Sequence, residues 1–401
     1  MLDDAGRARR GAADYGPLTR FAVVAGTVIA TVVATLVFLG DRTAPDPLAT
    51  TPIAQAQRLA REKNLQVGMS YGGRLMFMDD AELAASLDRA VRLGAHWIRT
   101  DMIWGLIERS PGVYDWSAFD RVVDAVESRG LELLPVLLGT PPWARKQSCS
   151  GRLACPPGDV GDYADFAEAA AARYTSRGVT TWQIWNEPNI WLFWLRPRPK
   201  AYAAMLDQAA HSIRAVDPKA TIVFGGLAAL PPTNRVIEAR AFLRAVCDLG
   251  VCKEMDVFAY HPYTYPDLAS HPTRYDAPWT RIADSDDSLA RILDAYGLHH
   301  VPIWITEFGA PTGGNGRASD GSIPLQAGVV DHVTEKRQAQ IAFDSVATAV
   351  VTPRVKMLVW YTDVDLPDRS GKQAHYGLFR ADGTPKPAWR RLKKAVRLFT
   401  R

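Results

Sequence analysis

The sequence predicts one (β/α)8 barrel, in which eight parallel strands close into a ring and a helix follows each strand. Short apolar runs typical of buried strands recur eight times between residue 65 and the C-terminus, and an amphipathic helical pattern follows each of them. Strict alternation implies parallel strands joined by crossover helices. Eight repeats favour a closed barrel over the alternative, an open doubly wound sheet.

The predicted elements follow one another in this order along the chain. The strands cover residues 65–71, 96–100, 131–138, 180–186, 221–225, 255–261, 302–307 and 355–361. The helices cover residues 79–93, 117–129, 163–176, 201–216, 236–249, 288–296, 334–350 and 388–399. Together they assign residues 65–401 to a single barrel domain.

The residues before the barrel divide into three expected segments. Residues 1–20 form a tail with four arginines, residues 21–40 an uncharged apolar run, and residues 41–64 a Pro-, Thr- and Ala-rich linker. Twenty apolar residues can cross a bilayer as a helix, and the preceding arginines favour a cytoplasmic N-terminus. We therefore expect a single-pass membrane anchor with the barrel outside the cytoplasm. A cleaved signal peptide is the alternative, and it would make the barrel a secreted protein.

Composition and motifs limit the classes of partner. The formal net charge is +4 and the basic residues are scattered along helical patterns, which disfavours nucleic-acid binding. The histidines lack the spacing of metal ligands, and the glycine-rich residues 313–316 lack the Lys-Ser/Thr ending of a phosphate-binding loop. We therefore expect neither a metal nor a cofactor.

The four cysteines form two local pairs, Cys149 with Cys155 and Cys247 with Cys252. An exported protein meets an oxidising compartment, so two short-range disulfides are expected. A zinc site is the alternative, but the pairs lack tight Cys-x-x-Cys repeats and nearby histidines.

Two predicted strands end on a glutamate. Strand 180–186 runs into Asn186-Glu187-Pro188, and strand 302–307 ends at Glu307 before Phe308-Gly309. Ligands of parallel α/β folds bind at the carboxyl ends of the strands, so both carboxylates should lie at one rim. A pair of carboxylates at one site is what a glycosidase requires. The alternative is that both glutamates form structural ion pairs.

These strand ends resemble the signatures of the clan A retaining glycoside hydrolases, closest in appearance to family 39-like and family 5-like members. The resemblance covers the whole barrel. The resemblance also includes residues 97–101 and 108–116 around the second strand, Tyr260-His261-Pro262-Tyr263 at the sixth strand, and Val359-Trp360 at the eighth strand.

The resemblance implies a role for each residue at the rim. Glu187 would be the general acid/base and Glu307 the nucleophile of a double displacement. Asn186 would bind the sugar 2-hydroxyl, and Arg99 would keep the nucleophile ionised, although a simple barrel salt bridge is an alternative for Arg99.

The remaining candidates are one tyrosine, one histidine and several aromatic side chains. Tyr263 is expected to hydrogen-bond the nucleophile. His261 either contacts the sugar or a carboxylate, or is a satisfied core residue. Aromatic faces stack on sugar rings, so at least two platforms are expected among five tryptophans near strand ends. Trp360 is the first choice, and the others are Trp104, Trp143, Trp191 and Trp194.

The function expected from these observations is that of a membrane-anchored retaining glycosidase that hydrolyses O-glycosyl bonds of an oligo- or polysaccharide outside the cytoplasm. Its catalytic domain is expected to be a monomer. Two alternatives remain at this stage. One is a non-catalytic carbohydrate-binding barrel, and the other is a transglycosylase that remodels wall glycans with the same two glutamates.

Overall fold

The computed structural model describes residues 53–146, 149, 155–271, 277–326, 329–367 and 371–400. The strand segments in these ranges are β1 (Gln66–Ser70), β2 (Trp97–Ile103), β3 (Glu108–Ser110), β4 (Val113–Tyr114), β5 (Glu132–Leu138), β6 (Thr181–Ile184), β7 (Thr221–Val223), β8 (Leu227–Ala228), β9 (Phe258–His261), β10 (Ile303–Phe308), β11 (Arg317–Ser319), β12 (Val330–Val333) and β13 (Val355–Tyr361).

The α-helices in the same ranges are α1 (Ile53–Lys63), α2 (Asp80–Leu93), α3 (Trp104–Ile107), α4 (Ser117–Glu127), α5 (Val160–Tyr174), α6 (Pro199–Val216), α7 (Ala239–Cys247), α8 (Thr280–Ala283), α9 (Leu289–Ala295), α10 (Glu335–Val351) and α11 (Pro387–Phe399). Short 3-10 helices cover Arg74–Phe77, Pro142–Ala144, Thr175–Arg177, Val251–Glu254 and Lys372–His375.

The main sheet closes into a ring through one interrupted strand. All its neighbouring pairs are parallel, and its order is β7-β6-β5-β2-β1-β13-β10-β9-β8. The edge segments β7 and β8 are consecutive halves of one strand, separated only by residues 224–226. Because β7 pairs with β6 and β8 pairs with β9, this strand joins the two edges. The predicted eight-stranded barrel is confirmed.

Inward-facing side chains fill the barrel in layers. The rings of Trp97 on β2 and Trp304 on β10 pack with their centroids 5.4 Å apart, although two other strands separate β2 from β10 in the sheet. They therefore meet across the barrel interior. The cluster they join also contains the buried apolar residues Leu134, Val223, Val257 and Ala259. Two residues beyond Trp97, the next inward position of β2 is Arg99, where the interior becomes polar.

The outer helices bury apolar side chains against the barrel. Helix α4 buries Phe119, Val122, Val123 and Val126, which recur at helical spacing. Helix α10 is buried more completely, over the continuous run of residues 344–350.

Part of the expected linker, residues 41–64, is helical. Helix α1 packs against α10 and α11. The Lys63 ammonium donates hydrogen bonds to the carbonyl oxygens of Ala349 (2.7 Å), Val350 (3.1 Å) and Thr352 at the end of α10. These carbonyls lack partners within their own helix, so a cation there stabilises the helix end. The tertiary contact with α10 gives this polar segment its helical structure.

The described helices do not support the predicted localisation as a single-pass membrane protein. None of them is both long enough and apolar enough to cross a membrane. The predicted anchor, residues 21–40, lies outside the described ranges. Single-pass membrane localisation, and with it the membrane as a partner, is therefore withdrawn.

Both predicted disulfides are confirmed. Cys149 bonds Cys155 with their Cα atoms 5.8 Å apart, and Cys247 bonds Cys252 with their Cα atoms 4.8 Å apart. The second bond ties the end of α7 to the 3-10 helix Val251–Glu254. The zinc alternative is excluded because each sulfur is bonded to another sulfur.

Replacing Lys63 with methionine tests the role of α1. We expect Lys63→Met to lower the free energy of unfolding by about 1–3 kcal/mol, because the carbonyls at the end of α10 lose a charged donor. Urea denaturation of the full chain measures the change. Lys336→Met, at an exposed position of α10, should change stability by less than about 0.5 kcal/mol. Equal effects of the two substitutions would contradict the proposed contact.

Candidate active site

The chain turns sharply where strand β6 ends at Ile184. Trp185 and Glu187 both have left-handed backbone conformations, with φ of 69° and 43°. Such conformations cost about 1–3 kcal/mol in residues other than glycine and concentrate at functional sites. Pro188 prevents the strand from continuing. The turn places Asn186 and Glu187 inside the rim, where they are 4% and 1% exposed.

His261, at the end of β9, connects Glu187 to the seventh barrel strand. Its Nδ1 lies 2.8 Å from Glu187 Oε1, and its Nε2 lies 2.9 Å from Thr306 Oγ1. The ring fits because Gly226 has no side chain, since a β carbon there would lie 2.2 Å from Nε2. The second oxygen of Glu187, Oε2, is buried and has no hydrogen-bond partner among the described residues.

Arg99 connects four strand ends through its guanidinium. Its Nη1 donates to Ser70 Oγ (3.0 Å) and to Glu307 Oε1 (2.5 Å). Its Nε donates to Gln183 Oε1 (3.0 Å), and its Nη2 donates to Asn186 Oδ1 (2.7 Å). Arg99 is fully buried, and these bonds compensate for the desolvation of its charge.

Glu307 lies between Arg99 and Tyr263. The Tyr263 hydroxyl donates to Glu307 Oε2 at 3.0 Å, while Arg99 holds Oε1. One oxygen of Glu307, one oxygen of Glu187 and one ring nitrogen of His261 all lie within 4.8 Å of one another. The side chain of Glu307 is 14% exposed, so it is accessible from the cleft.

The two glutamates are pushed towards opposite protonation states. Burial raises the pKa of Glu187, and the charge of Glu307 raises it further, although His261 and Arg99 act in the other direction. Burial alone would also raise the pKa of Glu307. Here His261, Arg99 and the Tyr263 hydroxyl outweigh it and hold the pKa below its usual value. The site therefore favours a protonated Glu187 beside an ionised Glu307.

The same carboxylates and imidazole are potential metal ligands by distance. Both oxygens of Glu307, however, already accept hydrogen bonds from Arg99 and Tyr263. The Arg99 cation would also repel a metal ion. The arrangement suits proton transfer between a carboxyl group and a ligand better than metal coordination.

A family model described as cellulase (glycosyl hydrolase family 5) matches residues 61–347, which is more than half of the chain. The chain belongs to glycosyl hydrolase family 5. The matched region begins in α1, ends within α10 and contains both rim glutamates.

Solved structures share the fold of this family 5 chain. A family 39 glycoside hydrolase from Bacteroides cellulosilyticus superposes with a TM-score of 0.61 and 20% identity, covering 83% of this chain and 64% of that one. A GH39 beta-xylosidase from Caulobacter crescentus superposes with a TM-score of 0.59 and 21% identity, covering 82% of this chain and 70% of that one.

Curated relatives match over shorter stretches. A beta-xylosidase from Geobacillus stearothermophilus is 26% identical over 165 residues, which is 38% of this chain and 32% of that protein. A beta-amylase from Zea mays is 39% identical over 62 residues, which is 15% of this chain and 13% of that protein. The family 5 chain thus spans a third or less of the length of these two relatives.

The predicted site residues divide into a polar group at the rim and five tryptophans, of which three are buried and two are half-buried. The structure brings together Arg99, Asn186, Glu187, His261, Tyr263 and Glu307. Trp104 and Trp360 are buried, and Trp104 stacks on Phe166 and donates its indole N–H to Glu108. Trp104 therefore contributes to packing instead of presenting a free face. Trp194 is also buried, whereas Trp143 and Trp191 are half-buried, and an Arg235 guanidinium lies over the Trp191 ring.

Four polar residues of the site were not among the predicted ones. Ser70 and Gln183 bind Arg99, Thr306 binds His261, and Asp101 lies beyond Arg99 on β2. The period-two alternation of a strand would have placed Asp101 on the same face of β2 as Arg99. Strand pattern alone could not pair Gln183 with Arg99, because their strands are separated by β5 in the barrel.

Gly226→Ala should disable the site without removing any polar group. The added methyl group would collide with the His261 ring, and His261 would then lose its position against Glu187. We expect glycoside turnover to fall at least about 100-fold while the circular-dichroism spectrum stays native. Gly161→Ala, in the first turn of α5, is the matched control, because its backbone is not left-handed and its added carbon would approach only the Asp159 side chain, at 3.3 Å. Full activity in Gly226→Ala would contradict this account of the glycine.

Proposed function

We propose that this family 5 chain is a retaining glycoside hydrolase of oligo- or polysaccharides, with residues 65–401 as its catalytic domain. Glu187 is its acid/base and Glu307 its nucleophile. The observation that carries the proposal is the short separation of the two carboxylates: one oxygen of Glu187 lies within 4.8 Å of one oxygen of Glu307. Retaining enzymes hold their carboxyl groups about 5–5.5 Å apart, whereas inverting enzymes leave about 6.5–9.5 Å for a water.

The environment of Glu307 supports its role as the nucleophile. Attack on an anomeric carbon requires an ionised carboxylate, and Arg99 and Tyr263 both stabilise that form. In the first step a Glu307 oxygen forms a bond to the anomeric carbon while the glycosidic C–O bond breaks. The product is a covalent glycosyl ester, and the leaving oxygen keeps the bonding electrons.

The environment of Glu187 supports the acid/base role. The leaving oxygen needs a proton, and burial favours the protonated form of this carboxyl group. His261 binds Oε1, so the unpartnered Oε2 is the oxygen available to donate. In the second step Glu187 takes a proton from water, whose oxygen attacks the anomeric carbon and releases Glu307.

Asn186 is suited to binding the sugar next to Glu307. Its Oδ1 accepts from Arg99, which fixes the orientation of the amide. The amide N–H groups are then left to donate to the 2-hydroxyl of the glycosyl unit. A hydrogen bond of this kind strengthens as the transition state forms.

Rescue of activity by azide distinguishes the roles of the two glutamates. We expect Glu307→Ala to abolish turnover of ordinary glycosides, with azide restoring activity to give an azide of inverted configuration. Glu187→Ala should retain turnover of 2,4-dinitrophenyl glycosides but lose about 10²–10⁴-fold on substrates with poor leaving groups. Its azide product should have retained configuration. NMR of the products and rates for both substrate classes measure these outcomes.

Residual hydrolysis by Glu307→Ala without azide would remove the double-displacement mechanism. Equal losses by Glu187→Ala on both substrate classes would show that another group is the acid. Glu335→Ala is a control, because this carboxylate pairs with Arg380 on the surface. Its activity should match that of the wild type.

The pH profile should depend on Arg99. Glu187 must be protonated, so activity falls as pH rises through its raised pKa. Glu307 must be ionised, so activity falls as pH drops through its lowered pKa. Arg99→Lys loses part of the guanidinium network, which should raise the pKa of Glu307 and move the acid limb of kcat/KM to higher pH.

The matched control for that profile is Arg89→Lys. Arg89 also binds an aspartate, Asp363, through Nε at 3.0 Å and Nη2 at 2.7 Å, but it does not contact either rim glutamate. This variant should lose stability without moving the acid limb. An unchanged acid limb in Arg99→Lys would contradict the role given to Arg99.

A further inference from the structure

Asp101 is a carboxylate of the cleft that the proposed reaction does not use. On strand β2 the inward positions are Trp97 in the apolar layer, Arg99 in the polar layer and, two residues further, Asp101. The Asp101 side chain is half-buried. Its backbone N–H donates to the Gly72 carbonyl oxygen, but its carboxylate has no hydrogen bond or ion pair among the described residues.

Two consecutive glycines, Gly72 and Gly73, lie beside this carboxylate. A β carbon at Gly72 would lie 3.8 Å from Asp101 Oδ2 and 4.0 Å from the Tyr361 hydroxyl oxygen. A β carbon at Gly73 would lie 3.7 Å from the same Oδ2, but only 2.8 Å from the Ile103 side chain, so Gly73 makes room for Ile103. Gly72 therefore places no side chain of its own between Asp101 Oδ2 and the Tyr361 hydroxyl group, on the side of the barrel where β1 and β13 end.

The nearest charged groups place Asp101 beside the proposed nucleophile. Burial raises the pKa of Asp101 to about 6, Arg99 lowers it and Glu307 raises it. Arg99 makes no hydrogen bond to Asp101, and four of its N–H groups instead bind Ser70, Gln183, Asn186 and Glu307. A half-buried carboxylate without donors is unfavourable, so a ligand is the natural source of the missing hydrogen bonds.

We propose that Asp101 is a specificity-determining residue that accepts hydrogen bonds from hydroxyl groups of the glycosyl unit next to Glu307. This inference rests on the proposed glycosidase function. Sugars present adjacent hydroxyls, and a carboxylate can accept from two of them at once. A site built to bind a hydroxyl discriminates against an analogue that lacks it, because the acceptor is then left unpaired.

A double-mutant cycle between enzyme and substrate tests this proposal. The wild type is first screened on 4-nitrophenyl β-glycosides of xylose, glucose, mannose, galactose and cellobiose. The best substrate is then compared with its 3-, 4- and, where present, 6-deoxy analogues on wild type, Asp101→Ala and Asp101→Asn. Position 2 is left out because it is attributed to Asn186. The measured quantity is kcat/KM.

We expect one deoxy analogue to lose about 10- to 100-fold on the wild type and less than about 3-fold on Asp101→Ala. Removing a hydroxyl group also changes the intrinsic reactivity of the substrate. This effect is the same for both enzymes, so it cancels when the loss of kcat/KM in the wild type is compared with the loss in the variant. Asp101→Asn keeps the shape of the side chain and applies the same test if Asp101→Ala does not fold. Asp165→Asn, on an exposed face of α5, should behave as the wild type.

The outcomes separate this inference from the function on which it rests. An active wild type whose deoxy losses are identical in the Asp101 variants would overturn the role of Asp101 and leave the glycosidase function standing. A folded wild type that hydrolyses none of the five glycosides would count against the proposed function on these substrates, and the role of Asp101 would fall with it.

Discussion

The site depends on one buried cation, the guanidinium of Arg99. It donates to side chains from the first, fourth and seventh barrel strands while lying on the second. A buried charge is tolerated only when its donors are satisfied, so these strand ends must keep their relative positions. The same bonds orient Asn186 and stabilise the charge of Glu307. Packing of the barrel and electrostatics of the cleft are thus coupled through a single residue.

A second constraint separates the protonation states of the glutamates. Glu307 receives hydrogen bonds on both oxygens, whereas Glu187 receives one contact from His261 and leaves Oε2 unpartnered. Two carboxylates this close cannot both ionise easily, and the unequal distribution of donors decides which one does. The interrupted fifth strand contributes, since Gly226 admits the His261 ring that holds Glu187 in place.

The asymmetry extends to the opening of the cleft beside Glu307. Asp101 continues the inward series that begins with Trp97 and Arg99, so one strand supplies an apolar base, a structural cation and a free acceptor in succession. Gly72 places no side chain of its own between that acceptor and the Tyr361 hydroxyl group. The proposed sugar contact therefore lies on β2, beside the turn that follows β1, whereas Glu187 follows β6 and Glu307 lies on β10.

The amino-acid sequence by itself determined the alternation of strands and helices, because apolar periodicity is a local property of the chain. It also indicated Glu187 and Glu307, since Pro188 and Gly309 end their strands near the rim. Tertiary structure decided what periodicity cannot encode, namely which side chains meet across the barrel. The pairing of Arg99 with Gln183, the burial of Trp104 in packing and the helix at residues 53–63 all depend on contacts between segments distant in sequence.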